Sequence, residues 1–307
     1  MEKTGKVIIL GAGAMGAFFA ARFFDADKGA TAVVARGKRY DRLKKDGLVV
    51  NGKSYAIPVI HPDEAAEPAG FIIVALKHHH LTEALPDLKN LVGPQTTIIS
   101  VMNGLDSEKI IGAIYGMNKV LYTISVGIDA LRDGNRLTYT KPGKHYFGEA
   151  VNAEVSPRVR HAQEAFERAG IPYETPPDMI RMIWWKFMIN VGMNQASAVM
   201  RAPYGVFQSS PDARALMESL MQEVIALAEA SGVNLVEKDI EDWYAFLDTL
   251  SPVGKTSMLQ DIEAGRKTEI EIFGGKMVEL GKELGIPTPV NQTLFHIITV
   301  LEQQVKG

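Results

Sequence analysis

Cysteine is absent from the 307 residues, and that one absence removes disulfides, thiolate nucleophiles and cysteine-ligated metal from consideration. An excess of either charge is missing too: 33 basic against 36 acidic side chains leave a formal charge of -3, with no broad positive field to hold nucleic acid or an anionic membrane. There is no apolar run long enough to span a bilayer. The nearest imitation is the uncharged stretch 7–21 behind the charged start at 1–6, which resembles a secretory signal but carries Gly11, Gly13 and Gly16 and reads better as a buried strand followed by a helix. Internal repeats and low-complexity linkers are also lacking. What remains is 46% hydrophobic and 22% charged, ordinary for a globular chain with room for two cores. A cytoplasmic protein acting on a small molecule is the expectation.

Apolar runs of strand length recur at 7–10, 31–35, 71–75, 97–101 and 120–125, each suited to a buried parallel strand. Helical spacing fills 14–24, 81–91 and 107–115 between them. Strand alternating with helix predicts an α/β fold: a Rossmann-type, doubly wound parallel sheet. Pro172, Pro176 and Pro177 interrupt both ladders, which places the boundary between a first domain at 1–175 and a second at 176–307. Beyond it 179–200, 213–231, 240–250, 256–284 and 291–305 carry helical periodicity, so the C-terminal domain should be all-α. Its apolar stripes suit a homodimer interface and a domain core equally.

Gly11-Ala12-Gly13-Ala14-Met15-Gly16 follows the first expected strand and opens the first expected helix. In that setting the first glycine permits the turn, the second lets a diphosphate approach the backbone, and the third allows helix to pack on strand. Elsewhere the same glycines would be only a turn. The second expected strand ends beside the adenosine ribose, where a carboxylate selects NAD; here Arg36 stands. A guanidinium suits a 2'-phosphate, so NADP(H) is the expected cofactor. Lys38 and Arg39 fit either that role or the solvated start of the next helix.

Lys186, Asn190 and Asn194 are spaced by four on one expected helix and share a face. That face presents an ammonium and two amides together on an otherwise apolar helix, although a snorkelling lysine beside two surface asparagines fits the same pattern. Ser257 alone reads as a helix N-cap and Glu269 as a solvated helical carboxylate. Twelve residues would separate them by roughly 18 Å on a straight helix, and Gly265 offers a bend. The run His78-His79-His80 is expected to line a loop near the cofactor rather than to hold a metal, because neighbours on a helix diverge by about 100°.

Thr256-Ser257-Met258-Leu259-Gln260-Asp261, then Gly265-Arg266 with Thr268-Glu269-Ile270, then Gly285-Ile286-Pro287-Thr288-Pro289 with Asn291 resemble the C-terminal signature of the ketopantoate reductase family. Lys77, Asn103-Gly104 and Trp185-Lys186 extend the resemblance over nearly the whole chain. It implies NADPH-dependent reduction of the 2-keto group of ketopantoate to pantoate, a step towards pantothenate and coenzyme A, in a cleft between the domains. It implies Lys186 as general acid and Glu269 holding the substrate hydroxyl. Ser257, Asn190 and Asn194 would bind the rest, with Asn103 near the nicotinamide and the catalytic lysine, and Lys77 facing the cofactor or the mouth of the cleft. The chain departs from the family pattern at Met102 (Gln or His), Gln195 (Pro), Gly274 (Asn) and His80 (Gln). Reduction of another 2-keto acid and a non-catalytic NADP-binding sensor are the competing readings.

Overall fold

A computed structural model describes residues 5–64 and 67–304, leaving outside it most of the charged start and Val305, the last residue of the final expected helix. The chain divides into two compact units, Met1–Ile180 and Arg181–Gly307.

In the first unit eight strands form one sheet. Their order is Tyr173–Glu174, Pro142–Gly148, Val120–Ile128, Thr97–Ser100, Phe71–Val74, Val7–Leu10, Thr31–Val34 and Val59–Ile60. All neighbours are parallel except Pro142–Gly148 against Val120–Ile128. Reading from Val59–Ile60 to Val120–Ile128, this is the doubly wound order with the first strand central. The alternation of side chains sorts each strand onto two cores: Val7 and Ile9 pack with Phe18, Phe19 and Phe166, whereas Ile8 and Leu10 pack with Leu81, Leu85 and Ile111. A smaller sheet, Lys53–Tyr55, Leu48–Val50, Arg136–Thr138 and Leu131–Asp133, was not foreseen, since its strands are only three residues each.

Helices Ala14–Ala26 and Ser107–Tyr115 form where spacing placed them. The helix expected over 81–91 does not form as one piece. Pro86 lacks an N–H and limits the segment to a short α turn, Leu81–Ala84, and a 3-10 turn, Leu85–Leu88.

Two fully or nearly fully buried ionisable groups oppose each other energetically. His145, 0% exposed, bonds Ser125 Oγ through Nδ1 at 2.8 Å, and burial pushes its pKa down to about 4. Glu108 bonds Ser107 Oγ at 2.8 Å, and burial pushes it up to about 7. His145 titrates lower when folded, so its contribution is intact above the unfolded pKa near 6.5 and is lost as pH falls towards 4. Glu108 titrates higher when folded, so its contribution is present below the unfolded value near 4.5 and is lost as pH rises through about 7. Each shift is worth about 3 kcal/mol, and the two offset each other across the same window. Urea unfolding of Glu108→Gln between pH 7 and pH 4 should therefore expose a loss of stability on acidification that the parent masks. A parent and variant with parallel profiles would contradict this.

In the second unit the described residues form helices only. Helix Pro211–Ala230 buries Met217, Leu220, Met221, Val224, Leu227 and Ala228 along one stripe. Ser210 caps it by accepting from Ala213 N, with Pro211 at the first turn. The stretch 256–284 is not one helix. It breaks into Ser257–Glu263, a 3-10 turn Ile270–Ile272, and Gly274–Leu284, with Gly265 at φ +63° inside the break. The closing helix is Pro289–Gln304. No helix among the described residues is long and apolar enough to cross a membrane.

Candidate functional site

The glycine loop of the first unit joins Val7–Leu10 to Ala14–Ala26, whose N-cap is Gly13 in extended conformation. Gly11 takes φ +98°. A Cβ on Gly16 would stand 1.8 Å from Gly11 O, so the loop closes on itself at a distance only glycine permits. Ala14 and Met15 are half-buried in the first helical turn. The unpaired N–H groups of that turn and the helix dipole make it an anion cradle, and these residues fit a dinucleotide.

Arg36, exposed at the N-cap of helix Gly37–Asp46, pairs with the carboxylate of Asp87. Asp87 lies buried on the 3-10 turn Leu85–Leu88, and nothing in the sequence signalled it. Lys38 and Arg39 are exposed in the first turn of the Gly37–Asp46 helix, the solvated position that was one of their two readings. Lys77 and Asn103 are half-buried just past strands Phe71–Val74 and Thr97–Ser100. His78–His80 is a 3-10 turn, and among the described residues no cluster of His, Asp or Glu could hold a metal.

A second feature on the loop escaped the sequence. Arg132, in strand Leu131–Asp133 of the small sheet, donates from Nη1 to Ala12 O and from Nε to Gly134 O at 2.9 Å. The Gly134-Asn135 pair between two short strands is a hairpin signal, but it does not say where the hairpin goes.

In the second unit Lys186 lies in helix Met179–Ile189, which continues through a π-helical segment, Asn190–Asn194, into Gln195–Met200. Single π turns recur at functional positions. Gly192 lets the helix Pro211–Ala230 close against this segment: a Cβ there would stand 2.6 Å from the Met221 side chain. Lys186 is half-buried, and desolvation pushes its ammonium down to about 8. Asn190 and Asn194 are buried, and Asn194 Nδ2 donates to Asn190 Oδ1 at 3.2 Å.

Ser257 joins that row, donating from Oγ to Asn194 Oδ1 at 3.2 Å. It is not the helix cap it resembled. Thr256 takes that place, its hydroxyl accepting from Leu259 N at 3.2 Å, which leaves the Ser257 side chain to face Asn194. Glu269 is half-buried and precedes the 3-10 turn Ile270–Ile272, so it is not on a solvated helix either.

The departures at Gln195 and Gly274 turn out to be linked. Gln195, fully buried, donates from Nε2 to Val191 O at 2.9 Å and Asn291 Oδ1 at 2.8 Å. Its Oε1 lies 2.6 Å from where a Cβ on Gly274 would be. Met102 is buried in the sheet core.

Comparisons with known proteins agree in direction. A family model described as "Ketopantoate reductase PanE/ApbA" matches residues 7–152, and one described as "Ketopantoate reductase PanE/ApbA C terminal" matches 178–302. A 2-dehydropantoate 2-reductase from Aquifex aeolicus is 27% identical over 97% of both chains, and one from Pyrobaculum aerophilum is 31% identical over 78% of this chain and 79% of its own. Among solved structures, a D-mandelate dehydrogenase bound to NADH and anilino(oxo)acetate is similar at TM-score 0.88 and 21% identity, covering 98% of this chain and 100% of its own. A PanE/ApbA family ketopantoate reductase from Ralstonia eutropha is similar at TM-score 0.84 and 23% identity with the same coverage. At these identities the two structures speak for the fold.

Proposed function

Because the chain belongs to the ketopantoate reductase family, matched at 7–152 and 178–302, and is an oxidoreductase with a nicotinamide cofactor, we propose that it reduces 2-dehydropantoate to pantoate with NADPH. The observation that carries this reading is the row Asn190, Asn194 and Ser257, hydrogen-bonded in series, whose two asparagines share a helical run with a lysine whose pKa burial lowers to about 8.

A reduced nicotinamide bound at the glycine loop would supply the hydride for the keto carbon. Lys186 gives its Nζ proton to the oxygen, where negative charge develops, and regains a proton from solvent. A lysine near 8 remains mostly protonated at neutral pH, yet parts with its proton more readily than an ordinary one. The amides of Asn190 and Asn194 and the Ser257 hydroxyl offer donors and acceptors to the keto acid, and Glu269 accepts from its hydroxyl. In the first unit, Gly11, Gly13, Ala14, Met15 and Gly16 hold the diphosphate. Lys77 and Asn103 contact the cofactor, with Asn103 also contacting substrate. A guanidinium has five N–H donors, so Arg36 can keep Asp87 and still offer an edge to the 2'-phosphate.

The decisive assay follows NADPH absorbance with ketopantoate and a panel of other 2-keto acids. Turnover of ketopantoate supports the reading. Turnover of another acid alone keeps the reductase and replaces the substrate; tight NADPH binding without any turnover favours a sensor. Arg36→Asp should weaken NADPH binding roughly 100-fold while changing NADH binding little, as measured by titration. Equal losses for both would remove Arg36 from the 2'-phosphate.

A further inference from the structure

The room beside the glycine loop already holds a cation. Arg132 Nη1 lies 3.9 Å from the point where a Cβ on Gly13 would stand. That bare position is the space the second glycine of the motif leaves for a diphosphate. The guanidinium is fixed there by two neutral carbonyls, Ala12 O and Gly134 O. Arg132 is half-buried, and among the described residues no carboxylate pairs with it. Its charged neighbours make matters worse: burial first, then the Arg42 and Arg39 cations of helix Gly37–Asp46, lower its pKa. A partly desolvated cation among other cations is unfavourable until an anion arrives. The unbonded N–H groups of the first helical turn at Ala14 attract that same anion.

We propose that Arg132 binds the diphosphate of the nicotinamide cofactor, contributing from the small sheet the formal positive charge that the backbone cradle at Gly13 to Gly16 lacks. This rests on the cofactor occupying the glycine loop. The Nη2 donors, which make no hydrogen bond among the described residues, are available for a phosphate oxygen in addition to Nη1, and a guanidinium fork suits such an oxygen pair. The placement also explains the small sheet: it sets Arg132 at the loop from 120 residues away in sequence.

The test uses the whole protein and separates the diphosphate from the rest of the cofactor. Arg132→Gln keeps an amide able to donate to Ala12 O and removes the charge. Calorimetric titration should show NADPH, NADH and ADP-ribose each weakened by a common factor of roughly 10- to 100-fold. Adenosine 2'-monophosphate, which has no diphosphate, should change by less than about 3-fold. Arg132→Lys should recover part of the loss. Unchanged affinity for the three diphosphate ligands would overturn the proposal, as would an equal loss for adenosine 2'-monophosphate. A parent protein that binds no dinucleotide would overturn the cofactor reading as well, whereas a normal parent with an indifferent Arg132→Gln overturns this inference alone.

Discussion

Lys186→Ala should lower kcat by roughly 10²- to 10⁴-fold, the usual worth of a positioned proton donor, and leave the NADPH dissociation constant nearly unchanged. Lys186 belongs to the second unit, whereas the glycine loop proposed to hold the dinucleotide belongs to the first. The residue must be protonated to act. With its pKa lowered to about 8 by desolvation, kcat in the parent should be level at neutral pH and fall as pH rises through about 8. Stopped-flow turnover across pH 6 to 10, with fluorescence titration of NADPH for each variant, checks both statements. Retained turnover in Lys186→Ala, or a parent profile flat through pH 10, would assign the proton to another group.

The second large effect belongs to the glycine loop. A methyl group at Gly16 would meet Gly11 O at 1.8 Å and Gly11 C at 2.8 Å. Both are backbone atoms, and Gly11 has little freedom to retreat, because its own Cβ direction points at Ala75 O, 2.5 Å away. Relief must come from moving the helix start, at a cost of about 3 kcal/mol or more. Displacing the first-turn N–H groups by even about 1 Å is enough to cost roughly 100-fold. Gly16→Ala should therefore lower the melting temperature by several degrees and weaken NADPH binding about 100-fold or more. Gly29→Ala, whose nearest atom would be the Asp27 carboxylate at 3.5 Å, is the matched control and should do neither. Tight NADPH binding by Gly16→Ala would show that the loop is looser than its geometry.

The parallel strands were legible because each is an unbroken apolar run bounded by turns, and burial on both faces demands that composition. The helices Ala14–Ala26 and Ser107–Tyr115 were legible for a similar reason. The failures were local chemistry overriding period. Pro86 divided one helix, and the segment that holds Ser257 and Glu269 is divided too, at the Gly265 where a bend was offered. Periodicity reports which face is apolar, not whether each backbone donor finds an acceptor. At the site, the spacing of Asn190 and Asn194 correctly implied a shared face, although the segment there is π-helical. The partnership of Ser257 with Asn194 spans 63 residues, and no spacing rule reaches that far. Arg132 and Asp87 were invisible for the same reason: their partners, Ala12 and Arg36, lie 120 and 51 residues away.

Gln195 and Gly274 limit each other's side chains. With the Gln195 amide oxygen 2.6 Å from the vacant Cβ direction at Gly274, a side chain at 274 collides while Gln195 is present, and a smaller residue at 195 opens a void while Gly274 remains. Both intermediates are handicapped, one by overpacking and the other by a cavity. The two positions are therefore coupled through packing, and what either one tolerates depends on the residue at the other.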